Sequence, residues 1–123
     1  MSNLSKYLEM KILSSEFAGS FLALYRSNPG EDDSGVEVGS AGYQRQSIGF
    51  SYPSAVGGKA TISNAAPIEF PAIAGGYESV THAGVRDAQY GGNLLAYKAL
   101  TTPIESSGGG IKIETGALKV SLD

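Results

Sequence analysis

Residues 77–100, Y-E-S-V-T-H-A-G-V-R-D-A-Q-Y-G-G-N-L-L-A-Y-K-A-L, decide the fold of this 123-residue chain. Tyr77 to Thr81 carries the β-branched and aromatic residues of a strand. His82 to Tyr90 either bends away or continues as a bulged strand, and Gly91-Gly92-Asn93 is a turn signal. The run Leu94 to Leu100 fits a strand or a helix by pattern alone. Its brevity and its Gly and Pro flanks favour a strand. Two strands joined by a glycine-rich turn need further strands beside them, so the flanking sequence is read for partners.

Upstream, Ser20 to Arg26 is apolar on both alternating faces, as a central strand buried on two sides would be. Tyr43 to Ser51 places Ile48 and Phe50 on one face and Arg45 and Ser47 on the other, as in a half-exposed strand. Tyr52-Pro53-Ser54 and Gly57-Gly58 mark a long turn. Lys59 to Asn64 alternates, with Ala60 and Ile62 inward and Lys59, Thr61 and Ser63 outward. Ala66 to Pro71 is bracketed by prolines, which cannot donate to a ladder, and reads as a short edge strand. Ser2 to Leu13 is the helix candidate, with Ser2 or Asn3 as its cap and Leu4, Tyr7 and Leu8 on one face. That face suits a subunit-docking arm or a helix folded back over its own domain, and the two readings weigh equally.

Downstream, Ser106 to Gly110 reads as a loop tip. Ile111 and Ile113 alternate with Lys112 and Glu114, as Leu118, Val120 and Leu122 do with Lys119, Ser121 and Asp123 after Thr115-Gly116. This predicts a closing hairpin that pairs Ile113 with Leu118 and Ile111 with Val120, or one with a longer loop. The resulting expectation is an all-β, single-domain antiparallel β-sandwich, jelly-roll-like, with a short N-terminal helix. Residues 1–18 form the arm and 19–123 the sandwich.

Composition agrees. Seventeen glycines are about twice the usual share and suit tight turns better than helices. Charged residues make up 17%, the net charge is -3, and the nine Lys and Arg are scattered, so no nucleic-acid partner is expected. The absence of cysteine excludes disulfides and thiolate metal sites. The first residues lack the apolar core of a signal peptide, and no run reaches membrane-spanning length, so no membrane partner is expected.

The candidate chemistry is thin. His82 with Asp87 and a serine could be drawn as a triad, but no nucleophile-elbow motif accompanies them. A hydrogen-bonded structural pair is the commoner arrangement. One His without Cys gives no metal cluster, and no cofactor is expected. The acidic stretch Glu31, Asp32, Asp33 and Glu37 lacks EF-hand spacing and reads as a solvated loop. Gly91-Gly92 and Gly108-Gly109-Gly110 lack a phosphate-loop ending and read as turns. Arg45 and Arg86 sit in strand-like patterns where a free charge is awkward. Asp87 or another acid could hold one of them, and a solvated face is the alternative. The chain is not expected to be an enzyme.

Four stretches occur here in order: Tyr43-Gln44-Arg45-Gln46, Ile68-Glu69-Phe70-Pro71, Val80 to Leu95 (V-T-H-x-G-V-x-D-A-x-x-G-G-N-L-L) and Leu118 to Leu122. Together they resemble a family of small bacteriophage virion proteins labelled tail-fibre-like. The expected structural motif comprises Tyr43, Arg45, Phe70, Tyr77, His82, Arg86, Asp87, Gly91, Gly92 and Asn93. Tyr77 stands where the family is expected to favour Trp. The resemblance implies a non-enzymatic structural subunit, made in the host bacterial cytoplasm and carried in the virion. Its implied partners are other virion proteins and its own copies, with a trimer favoured. A capsid decoration (cement) protein is the leading expectation, because a chain this short has no room for a fibre shaft. A tail-associated or tail-fibre-like subunit is the alternative, and a carbohydrate-binding module a remote one.

Overall fold

A computed structural model of the chain describes residues 4–56, 58–106 and 110–122. Among the described residues, one helix, α1 (Lys6–Glu16), precedes nine strands. These are β1 (Phe21–Tyr25), β2 (Gln46–Ser47), β3 (Ser54–Val56), β4 (Lys59–Ser63), β5 (Ile68–Phe70), β6 (Tyr77–Arg86), β7 (Leu94–Ser106), β8 (Ile111–Ile113) and β9 (Lys119–Leu122). All pairings are antiparallel. The strands divide into sheets of four (β2-β1-β6-β7), three (β3-β4-β9) and two (β5-β8) around a single hydrophobic core. The all-β, single-domain expectation holds.

The stretch 77–100 does what its pattern dictates. β6 runs unbroken through His82 to Arg86, with irregularities that absorb the ambiguous segment, and the Gly91-Gly92-Asn93 turn returns the chain as β7. β1 is central, between β2 and β6. Its register sets Leu22 opposite Val85 and Leu24 opposite Ala83 on the face that meets the core. Phe21, Ala23 and Tyr25 share the other face with Arg86, Gly84 and His82. Tyr25 and Ala23 are as buried as the core residues, and Arg86 on this second face ties the Tyr25 hydroxyl to Asp33 of the 27–42 loop. A double-sided strand therefore needs no second apolar sheet here.

Several expectations are corrected. The Tyr43 to Ser51 strand shrinks to Gln46–Ser47, although Ile48 is buried and Phe50 packs edge-on against Phe17 at 5.9 Å. The long turn at 52–58 contains a strand, β3, which pairs antiparallel with β4, Val56 opposite Lys59. Thr61 is buried rather than outward, and its hydroxyl meets that of Ser121 at 3.1 Å across the β4–β9 pair. β7 extends to Ser106, so Ser106 belongs to a strand, while 107–109 lie outside the described residues.

The closing hairpin is the largest correction. β8 pairs with β5, Ile113 opposite Ile68, and β9 pairs with β4, Val120 opposite Ile62. Asn64 is the physical reason. Its buried side chain donates to the carbonyls of Ala66 and Glu114, both at 2.9 Å, and accepts the Leu118 amide at 3.0 Å. Its backbone also bonds to Leu118 and Gly116. Asn64 thus occupies the position a partner strand would take, and the 114–118 turn wraps around it. The hydrogen bonds a hairpin would supply are made to this one residue.

Helix α1 starts at Ser5, whose hydroxyl accepts the Leu8 amide, rather than at Ser2 or Asn3. It packs on its own domain against β4, burying Leu13 and, unexpectedly, Glu9. Burial of the Leu13 side chain stabilises this packing by about 2 kcal/mol. Lys6 pairs with Glu9 at 3.4 Å and donates to the Gly58 carbonyl, which ties the helix to the β3–β4 hairpin. The face marked by Leu4, Tyr7 and Leu8 points the other way. They are 43%, 73% and 40% exposed, a face left unused by a helix already anchored in cis.

Candidate functional site

The densest polar construction lies where residues 27–42 cross the β6–β7 turn. Arg86, at the end of β6, has a side chain only 8% exposed. It donates to both Asp33 carboxylate oxygens, at 2.7 and 2.8 Å, in the fork-on-fork geometry that suits a guanidinium. The same group donates to the Tyr25 hydroxyl at 2.9 Å and to the carbonyls of Gly91 (3.2 Å) and Gly92 (2.9 Å). Arg45 repeats the device. It grips Glu37 through two bonds of 2.8 Å and donates to the carbonyls of Ala88 (3.0 Å) and Gly91 (2.8 Å). The Tyr43 hydroxyl bonds to Glu37 at 2.6 Å and accepts the Leu24 amide at 3.0 Å.

These bonds set the charges. Burial pushes the Glu37 carboxyl up, but hydrogen bonds from Arg45 and Tyr43 outweigh it and hold the group below its ordinary range. The hydrogen bonds from Arg86 depress Asp33. Burial, then the bond to Glu37, keeps the Tyr43 phenol protonated far above its usual range. The network is therefore two carboxylates and two guanidiniums, all charged at neutral pH.

The turn itself is locked from within. Asp87 accepts the Asn93 amide at 2.7 Å and its side-chain NH2 at 3.0 Å, and these bonds hold its carboxyl low. Gly92 adopts φ +74°, and a Cβ there would stand 2.4 Å from the Asp87 Oδ1. Only glycine leaves room for that contact. Seven residues of turn are thus held by two arginines from outside and one aspartate from inside. Tyr90, 75% exposed, stands on this rigid support.

The structure brings Tyr43, Arg45, Arg86, Asp87, Gly91, Gly92 and Asn93 into this one assembly. Tyr43 stacks on Phe70 at 6.2 Å, and Phe70 meets Tyr77 edge-on at 6.5 Å, which joins the assembly to the core. Tyr77 is buried, and its hydroxyl donates to the Pro71 carbonyl, the role an indole N–H could fill. His82 stands apart. Its Nδ1 bonds to the Thr81 hydroxyl at 2.8 Å, while Asp87 is bonded to Asn93. The acidic loop is not simply solvated either, since Asp33 and Glu37 hold the arginines and Asp32 accepts from Ser34. The functions of Asp33, Glu37 and Tyr25 were not legible individually. The available signal was the coincidence of two misplaced arginines with a nearby run of acids.

Arg45 and Arg86 of the motif thus brace the turn, through bonds to the carbonyls of Ala88, Gly91 and Gly92. The sequence profile of the family described as podophage GP4 fiber I protein gp80 matches residues 3–121. The chain belongs to this family. The match covers the helix, the braced turn and the closing strands alike, so the resemblance seen in separate motifs extends through the whole domain. Family membership makes the chain a small phage fibre-like virion protein. No curated protein matches it.

Proposed function

We propose that this protein is a non-enzymatic, tail-associated structural subunit of a podophage particle. The observation that carries this reading is the fibre-family match over residues 3–121. The geometry supports it, because the motif residues are spent on fixing the shape of an exposed turn. A rigid surface loses little conformational freedom on docking, which favours specific assembly or contact with a host surface. Its partners are other virion proteins and its own copies, with a trimer favoured and neither nucleic acid nor membrane involved. Among the described residues, no helix is long and apolar enough to cross a membrane.

Decoration of the capsid shell is the second reading. The exposed Leu4, Tyr7 and Leu8 on a helix anchored in cis favour it, since a cement protein works by covering joints between shell subunits. Immunogold labelling of intact particles separates the two. Label confined to the tail supports the first reading, and label spread over the head overturns it in favour of the second.

A further inference from the structure

The sandwich is open on one side. An apolar cleft of about 380 Å³ runs between the four-stranded sheet and the C-terminal strands, lined by Leu22, Val85, Leu100, Ile113, Leu118 and Val120. Its size lies at the lower end of the roughly 300–1,000 Å³ typical of sites that enclose a ligand. Leu100, Ile113, Leu118 and Val120 are only partly buried, although they pack against the core. Both bordering strands are outermost in their sheets. Among the described residues, β7 pairs only with β6, and β9 only with β4. Each border is regular over four residues, 96–99 of β7 against β6 and 119–122 of β9 against β4. Lys98 and Lys119 stand at the cleft, and among the described residues neither ammonium has an acidic partner.

We infer that this cleft receives an extended segment of a different virion protein. The segment carries apolar side chains at alternate positions, with carboxylates among the residues between. An extended chain can hydrogen-bond to a free strand edge while every second side chain enters the cleft. The two lysines select for negative charge at its flanks. A second copy of this chain is a poor occupant. Its exposed Glu31 and Asp32 lie in a turn, and its exposed strand carboxylate Glu69 sits in β5, whose Ile68 and Phe70 are buried in the core and whose backbone pairs with β8.

The inference rests on the chain being a virion component, and the test separates the two claims. A photo-crosslinking amino acid is placed at Leu100 or Ala117, both lining the cleft, and at Tyr52, which is 93% exposed, as a control. Virions assembled with each full-length variant are irradiated, and the linked peptides are identified by mass spectrometry. Absence of the protein from virions refutes the proposed function itself. If it is present, positions 100 and 117 should both link to one short stretch of another virion protein with alternating apolar residues and at least one carboxylate. Lys98→Glu combined with Lys119→Glu should cut that yield by about fivefold or more, with an unchanged melting temperature. Links only to other copies of this chain, links to a basic stretch, or yields no higher than at Tyr52 overturn the inference.

Discussion

Arg86 and Asp33 are 53 residues apart in the chain and joined by two parallel hydrogen bonds of 2.7 and 2.8 Å. The pair fastens the acidic loop to the end of β6. The remaining donors of the guanidinium fasten the turn that follows.

Removing that guanidinium strands several partners at once. Arg86→Ala leaves the Tyr25 hydroxyl, the Gly92 carbonyl and the Asp33 carboxylate without this donor, leaves the Gly91 carbonyl to Arg45 alone, and should cost about 3 kcal/mol. Arg86→Lys keeps the charge but loses the fork, and should recover less than half of that loss. Urea unfolding of both variants measures it. A cost below about 1 kcal/mol for the alanine variant would mean the brace contributes little.

The same network gives stability a sign with pH. Asp33 and Glu37 are both depressed from ordinary values of 3.8 and 4.5. A group depressed on folding contributes stability above its unfolded value and loses it as pH falls through the folded value. Stability should therefore hold from neutral pH to about 5 and decline below about 4. Glu37→Gln should lower stability at pH 7 and flatten that decline. Melting temperatures from pH 7 to 2 check both statements, and an unchanged slope would exclude Glu37 as a contributor.

Asn64 is the wedge between β8 and β9. Asn64→Ala deprives two carbonyls and one amide of their partners and should cost about 2–3 kcal/mol. Asn64→Asp keeps the shape but removes both donors and buries a charge beside two carbonyls, so it should cost at least as much. Equal stability of wild type and both variants in thermal unfolding would refute the wedge.

Gly84 shows how closely the outer face is packed. A Cβ there would lie 2.8 Å from the Tyr25 ring and 2.9 Å from a Leu94 methyl. Because the Tyr25 ring is tethered by Arg86, it cannot move freely, and Gly84→Ala should destabilise by about 1–3 kcal/mol. Calorimetry would show this as a lower melting temperature with the fold retained.

Much of this architecture is legible in the sequence, and the failures share a cause. β1, β4, β5, β6 and the turn at 91–93 follow from local alternation and turn chemistry, which act over a few residues. The C-terminal hairpin does not form, because one asparagine fifty residues upstream in the chain offers the turn a better set of bonds. No local pattern around 111–122 carries that information. Arg45 and Arg86 stood out as charges in strands, yet their partners sit in a loop whose composition suggested only solvation. Long-range pairing of a few polar side chains is what periodicity cannot report.

The helix face is where stability and assembly should part company. Leu4→Asp and Tyr7→Asp alter exposed positions, so each should change unfolding free energy by no more than about 0.5 kcal/mol. If that face docks on another subunit, incorporation into particles should fall sharply while the free protein stays folded. Normal incorporation of both variants would show that the face is not used.

The most direct test of the tail assignment is the copy number of this protein in purified virions, by quantitative mass spectrometry against the major shell protein. The account predicts a small fraction of the shell copy number, as a tail component requires. A ratio near one copy per shell subunit would contradict it and make the protein a decoration of the capsid.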